Sequence, residues 1–575
     1  HWAAETPDQL FLAERAGASG GCRRVTYSQA LAAARSIGQA LLNRKLSPDR
    51  PVAILSDNSI DHALLALGAM HVGVTVAPIS PAYSLLSKDY DKLKYAFSLL
   101  TPGLVFVANG APFAPALRKV GLGEAELVCG TDSPEGLRAT EFRELLETQP
   151  TSAVDEACAR VGPDTIAKIL FSSGSTDLPK GVINTQRMLC SNQRAIAQAW
   201  PFLSEKPPVL VDWLPWNHTF GGNFCFNMML YHGGTLYIDE GKATPQLIKK
   251  TVANLREISP TLYFNVPRGF DMLLSYLEQD EVLRANFFRH LDLIFYAAAA
   301  LPQNLWERLE DVSITARGKR VPMVSAWGST ETAPAITMVH FEIDRAGVIG
   351  LPLPGCEVKM VPNFGKMELR IRGPNITPGY WKRDDLTKKA FDDEGFYCIG
   401  DAGRLADTED PAKGLEFDGR VAEDFKLSTA TWVSVGAIRV KAIAAGEPII
   451  QDVVVAGHDR EEVGLLVFPS EAGCRSLCPD APASATLGTL IGDPRVRARV
   501  RTALETMAAE STGSSNRPTR ALLMEEPPSI DANEITDKGY INQRAVLTRR
   551  AALVERLYAD EPDAEVIRLT AKAGA

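Results

Sequence analysis

The stretch FSSGSTDLPKG, Phe171 to Gly181, decides the reading of this chain. Ser172, Ser173, Ser175 and Thr176 surround Gly174, and Pro179, Lys180 and Gly181 follow at once. Small residues let backbone N–H groups approach an anion closely, hydroxyls add donors, and the lysine adds a full positive charge. The hydrophobic run Ile166 to Phe171 reads as a buried strand, which sets the loop at a strand's carboxyl end, where open α/β sheets bind ligands. Taken alone, the segment reads more readily as an ordinary Ser/Gly turn with a surface lysine. The usual nucleotide loop is excluded, because there a Gly-Lys pair precedes Ser or Thr, whereas Lys180 here precedes Gly181.

Working outward, the chain from Pro51 to about Ser325 alternates short β-branched runs with longer helical patterns. Strands are expected at Pro51 to Leu55, Val74 to Ile79, Leu104 to Val107, Val209 to Trp213, Thr235 to Ile238, Thr261 to Phe264, Leu291 to Tyr296 and Val321 to Ser325. Asn58 to Met70 reads as a nearly all-apolar, buried helix. Such alternation implies parallel sheets covered by helices, and the strands are too many for one small sheet, so two packed α/β subdomains are expected. Gly347 to Gly373 is rich in Gly and Pro with short alternating segments, which predicts a small β-barrel-like antiparallel unit. Beyond Gly419 the texture changes to paired strands (Ile449 to Ala456, Glu462 to Phe468), a helix near Pro494 to Glu510 and a strand near Arg520 to Met524. The fold class is therefore α/β, with a large N-terminal domain over residues 1–419 and a smaller α+β domain over 420–575.

Composition narrows the function. A chain of 575 residues is too long for one core and implies about three to five structural units. The net charge of −9 leaves no basic footprint for nucleic acid as the main partner. The nine cysteines are scattered without a CxxC pair, which suggests reduced thiols in a cytoplasmic protein. The longest apolar segment, Ala63 to Pro78, is too mixed for a membrane span.

Four further motifs follow the serine-rich loop in order: WLPWNHTFGG at Trp213 to Gly222, AWGSTET at Ala326 to Thr332, YCIGD at Tyr397 to Asp401, and FDGRVAEDFK at Phe417 to Lys426. Together they resemble the adenylate-forming superfamily of acyl- and aryl-CoA synthetases, luciferases and peptide-synthetase adenylation domains. The segment FDGRVAEDFKLSTATWVSVG is most similar to feruloyl-CoA synthetases. The resemblance implies that a carboxylate attacks the α-phosphorus of ATP, pyrophosphate leaves, and coenzyme A then takes the acyl group from the adenylate. The first step gathers several negative charges and needs Mg²⁺, a cation and a donor-lined loop.

The resemblance also implies that the smaller C-terminal domain is mobile, and it implies site residues. Ser173, Gly174, Ser175, Thr176 and Lys180 would hold the β- and γ-phosphates, with Thr176 a weak Mg²⁺ contact. Trp327 and Gly328 would flank the adenine, Thr330 would reach a phosphate and Glu331 would ligate Mg²⁺; the same AWGSTET also reads as a core tryptophan before a capped helical turn. Asp401 would accept the ribose hydroxyls, and Arg420 would contact the ribose or a phosphate. His218 would gate the acyl carboxylate, and Trp216, Phe220, Tyr296 and Ala297 would line a slot for the acid, with Ala298 beside the nucleotide. Members of the superfamily commonly carry glycines where YAAAAL, Tyr296 to Leu301, stands here, and a glycine where Ala430 stands. Their adenylation lysine falls in Thr-x-x-Gly-Lys; here Tyr540 takes its place and Lys538, two residues earlier, is the candidate. The function expected is an ATP-dependent ligase of a hydroxycinnamate (ferulate, coumarate or caffeate) with coenzyme A, as a monomer or homodimer. A medium-chain or benzoate-type acyl-CoA ligase and a non-catalytic nucleotide- or acyl-binding relative are the alternatives.

Overall fold

The β-branched runs form the strands that carry the candidate site residues, and amphipathic helices cover them. The computed structural model describes residues 1–16, 21–172, 178–363, 365–536, 539–561 and 564–569. Two compact units result: the first holds residues 1–359, 370–399 and 405–416, and the second holds 360–369, 400–404 and 417–575.

Unit one contains two sheets of the mixed α/β kind. The first runs Thr140–Glu141, Glu126–Thr131, Leu104–Asn109, Val52–Ile54, Val76–Pro78, Ile166–Ser172 and Lys180–Thr185. Its neighbours are parallel except the last pair, an antiparallel hairpin in which Ser172 stands opposite Lys180 and Phe171 opposite Gly181. Lys180 and Gly181, read from sequence as part of the loop, are therefore the first residues of its return strand.

The second sheet includes, in order, Gly21–Thr26, Leu10–Ala16, Thr235–Ile238, Val209–Asp212, Leu262–Asn265, Leu293–Tyr296, Met323–Gly328, Ala335–Met338 and Val348–Pro352. It is parallel from Leu10–Ala16 to Met323–Gly328 and antiparallel beyond. The helix Ile60–His71 is apolar nearly all round because it is enclosed: Ile60, Leu65 and Ala69 have no exposed surface. Ser59 caps it, its hydroxyl accepting from His62 N at 3.1 Å.

Unit two is built on the strands Ile450–Ala456, Val463–Pro469, Pro518–Leu523 and Ile567–Arg568, paired antiparallel, parallel and antiparallel. The helices Val435–Ala445 and Pro494–Ala509 enclose one face of this sheet, around Val453, Leu465, Val467 and Leu504. All nine cysteines are free thiols. Among the described residues no helix is long and apolar enough to cross a membrane.

Candidate active site

The hairpin Ile166–Ser172/Lys180–Thr185 presents the serine-rich segment. Residues 173–177 lie outside the described residues, and with them Ser173, Gly174, Ser175 and Thr176. Both ends of the segment are placed. Trp381 N donates to Gly181 O at 2.7 Å, and Thr377 Oγ1 donates to Ile183 O at 2.7 Å, so residues 377–381 are laid along the return strand. This brings the Tyr380 ring to 5.1 Å from Lys180 Nζ, a cation over an aromatic face.

Glu331 meets the same group of residues from the other sheet. The strand Met323–Gly328 ends at Gly328, where a side chain would place its Cβ 1.8 Å from the Pro334 carbonyl oxygen, so only glycine fits the turn. Ser329 caps the single helical turn Thr330–Thr332, its Oγ accepting from Glu331 N at 3.2 Å. Asn375 braces that turn by donating to Thr332 O at 2.7 Å. The capped-turn reading and the ligand reading of AWGSTET are thus compatible: the cap holds the backbone N–H of Glu331 itself.

Glu331 is 8% exposed, and its Oε1 accepts from Tyr380 OH at 3.2 Å and from Ser172 Oγ at 3.4 Å. Tyr380 and Tyr397 hydroxyls lie 3.1 Å apart. Burial first, and the Glu331 charge second, hold both phenols above their ordinary range, so at neutral pH they remain protonated donors. Ser172, Lys180, Glu331, Tyr380 and Tyr397 therefore form one cluster, with a buried carboxylate, hydroxyl donors and a lysine. Tyr380 was not singled out from sequence; a tyrosine after Pro378-Gly379 was the only local signal. Thr330 is buried beside Glu331, and Trp327 is buried on its strand opposite Thr337.

The aromatic residues expected to line one slot are divided by the structure. Trp216 is in the main core, edge-on to His62 at 5.1 Å and to Phe226 at 4.9 Å. Tyr296 lies in another core, edge-on to Trp306 at 5.8 Å. Its strand neighbour Phe295 faces the opposite side and packs on Phe220 at 5.6 Å. Phe220 is half-buried. His218 is buried, its Nε2 3.4 Å from Asn217 Nδ2. Ala297 N donates to Asn265 O at 3.4 Å, and Ala298 adopts φ +76°, a left-handed conformation rare for alanine.

In unit two, Asp401 is buried on the strand Tyr397–Leu405 and Arg420 ends the strand Leu415–Arg420. Arg420 Nε lies 3.5 Å from Asp401 Oδ1, and the arginine side chain is 63% exposed. Val421 N donates to Gly400 O at 3.0 Å, which holds the two strand ends together. Burial raises the nearby Glu423 carboxyl, against the pull of Arg420. Lys538 lies outside the described residues. Tyr540 O accepts from Thr536 N at 2.8 Å, and burial pushes the Tyr540 phenol up to about 12.

Among the described residues no cluster of three or more His, Cys, Asp or Glu could hold a metal ion. A single buried carboxylate ringed by hydroxyls suits Mg²⁺, which is commonly held by one or two carboxylates together with substrate phosphates. Glu331 fits that role.

Comparison with known proteins places the chain in a family. The AMP-binding enzyme family matches residues 1–381, and the AMP-binding enzyme C-terminal domain matches residues 436–562. The chain is 27% identical to the 3-[(3aS,4S,7aS)-7a-methyl-1,5-dioxo-octahydro-1H-inden-4-yl]propanoyl:CoA ligase of Rhodococcus jostii (strain RHA1), covering 70% of this chain and 77% of that protein. It is 26% identical to the 3-hydroxybenzoate–CoA ligase of Aromatoleum sp. (strain CIB), covering 78% of this chain and 82% of that one. The fold matches the anthranilate CoA ligase AuaEII in complex with anthranoyl-AMP, with a TM-score of 0.74 at 20% identity over 96% of this chain and 97% of the other. It also matches ATP-bound MatB from Rhodopseudomonas palustris, with a TM-score of 0.67 at 21% identity over 95% and 96% of the two chains.

Proposed function

The chain belongs to the AMP-binding enzyme family, is an ATP-dependent, AMP-forming acid–thiol ligase, and, we propose, takes a hydroxycinnamate as its acid. The observation that carries the adenylation chemistry is the Glu331 cluster, in which a buried carboxylate is fed by Tyr380 and by Ser172 at the edge of the serine-rich segment.

The acid's carboxylate oxygen attacks the α-phosphorus of ATP, the bond to the bridging oxygen breaks, and pyrophosphate leaves. Mg²⁺, when bound, neutralises phosphate charge as this happens. In our reading Glu331 would hold that ion, and Tyr380 keeps the carboxylate oriented by donating a hydrogen bond to it. Lys180 and the hydroxyls of Ser173, Ser175 and Thr176 bind the departing pyrophosphate, with Gly174 giving close backbone approach. Asp401 accepts from the ribose and Arg420 lies beside it. Trp327 and Gly328, with Ala298, border the adenine. His218 and Phe220 face the acid. Lys538 is assigned the role of neutralising the reacting carboxylate and the α-phosphate. The thiol of coenzyme A then attacks the carbonyl carbon of the adenylate, and AMP leaves. Residues 1–419 serve ATP and acid binding in this reading, and residues 420–575 carry the lysine and the thiol step.

Hydroxycinnamate as the acid is supported by the segment at 417–436, which resembles feruloyl-CoA synthetases. A benzoate-type acid is the second reading, favoured by the likeness to a 3-hydroxybenzoate–CoA ligase. Pyrophosphate release measured with ferulate, coumarate, caffeate, benzoate, 3-hydroxybenzoate and octanoate, with and without coenzyme A, separates them, with the thioester identified by mass. Hydroxycinnamates are expected to lead by kcat/KM. A preference for either benzoate or octanoate refutes the assignment of the acid, and no release with any acid refutes the ligase reading of the site.

A further inference from the structure

Lys168 is 4% exposed on the strand Ile166–Ser172, which leads into the serine-rich segment. Its Nζ donates to Gly222 O at 2.9 Å and to Asn223 Oδ1 at 3.3 Å. Among the described residues no carboxylate forms an ion pair with it. A buried ammonium without a counter-charge is costly, and a methionine of similar volume would fill the space more cheaply.

What Lys168 holds is unusual backbone. Residues Phe220–Cys225 form a π-helical turn, in which the regular carbonyl ladder is interrupted. The turn folds tightly onto the chain before it: a Cβ on Gly221 would lie 2.3 Å from Leu214 O, and one on Gly222 would lie 2.3 Å from Trp216 O. Gly222 N donates to His218 O at 2.8 Å, so the turn and His218 are one piece. Asn223 continues the network. Its Nδ2 donates to Asn184 Oδ1 at 2.8 Å and to Thr219 Oγ1 at 3.1 Å, while its carbonyl accepts from Gln193 at 3.0 Å. Asn184 belongs to the return strand Lys180–Thr185. The network thus joins both strands of the phosphate-side hairpin to the segment that carries His218 and Phe220.

We propose that Lys168 is a positioning residue for the acid: through Gly222 and Asn223 it fixes the π-turn against the hairpin, and so fixes where His218 and Phe220 stand. This rests on the reading of His218 and Phe220 as acid-facing residues. Burial lowers the Lys168 ammonium to about 8, so it remains largely charged at neutral pH and donates strongly to both acceptors.

The test is steady-state kinetics of Lys168→Met, Thr219→Val and Phe220→Ala with ferulate and 3-hydroxybenzoate, alongside circular dichroism and thermal melts. Lys168→Met is expected to raise the acid KM about tenfold or more and to shift the preference between the two acids about fivefold, with the ATP KM within about twofold, as for a residue that acts on acid binding. Thr219→Val, which removes one acceptor at the edge of the network, is expected to move the acid KM the same way by a smaller factor. Phe220→Ala tests the underlying reading by itself. If it shifts preference while folded Lys168→Met leaves the acid KM unchanged, the positioning role is overturned and the acid-facing reading stands. If Phe220→Ala shifts nothing, that reading falls and the inference with it. Parallel rises in the acid and ATP KM assign Lys168 a merely structural role. Should Lys168→Met not fold, an unchanged acid KM in Thr219→Val overturns the proposal.

Discussion

Replacing His62 by glutamine is expected to flatten the acid limb of the unfolding profile. His62 is 2% exposed, with Nδ1 3.3 Å from the Asp57 carbonyl and the ring edge-on to Trp216 at 5.1 Å. Burial lowers its imidazole from 6.5 to about 4; the Asp57 carbonyl opposes this, and the Lys168 charge adds to it. The folded chain therefore keeps His62 neutral while the unfolded chain protonates it, and the unfolded state binds more protons between the two values. Stability from this group is intact above the unfolded value and is lost as pH falls through the window from 6.5 to about 4. At about 1.4 kcal/mol per unit, the loss is about 2 kcal/mol by about pH 5 and about 3 kcal/mol by about pH 4. The window does not overlap that of Lys168, whose lowering to about 8 acts between there and 10.5. His62→Gln cannot titrate, and its packing cost is the same at every pH. Urea unfolding of both proteins, followed by tryptophan fluorescence across this range, is expected to show the wild-type advantage shrinking by about 3 kcal/mol from neutral pH to about pH 4. Parallel profiles within about 0.5 kcal/mol would refute the reasoning, because the imidazole would then titrate alike in both states.

Tyr380→Phe removes the hydroxyl that donates to Glu331 at 3.2 Å; a hydrogen bond to a charged group is worth about 1.5–3 kcal/mol, so pyrophosphate release is expected to slow about tenfold or more, and a loss under about twofold counts against the cluster. Gly222→Ala would set a Cβ 2.3 Å from Trp216 O, and is expected to lower stability by about 1–3 kcal/mol and to abolish most acid turnover, with thermal melts and kinetics as the check. Ala430 adopts φ +61°, so Ala430→Gly is expected to relieve about 1 kcal/mol of backbone strain and to raise thioester-forming turnover; an unchanged rate would show that the loop tolerates the methyl. Lys538→Ala is expected to abolish adenylation while leaving thioester formation from supplied acyl-adenylate largely intact, and equal loss of both half-reactions would remove Lys538 from its assigned role.

Local pattern made most strands of both units legible. Thr235–Ile238 was read to the residue and Ile450–Ala456 to within one, because β-branched runs bounded by turn residues have few other ways to bury themselves. The capped turn of AWGSTET was legible too, since a serine straight after a strand is a ready N-cap. Contacts that cross the sequence were not. Lys168 meets Gly222, and Glu331 meets both Ser172 and Tyr380, only after two sheets have formed. The structure places Trp216 and Tyr296 in different cores, so it does not bring Trp216, Phe220 and Tyr296 into one slot. Neighbouring strand residues face opposite ways, so Phe295 and Tyr296 could not both look toward Phe220, and the structure turns Phe295 to it. The alanines carry the complementary lesson. At Ala298 and Ala430, where the resemblance leads one to expect glycine, the backbone keeps φ values of +76° and +61°. Those torsions cost alanine about 1 kcal/mol or more each and glycine almost nothing. An alanine that adopts such a torsion is held there by its surroundings. The requirement at both positions is therefore the path of the backbone, and the added methyl groups narrow the space beside it without redirecting it.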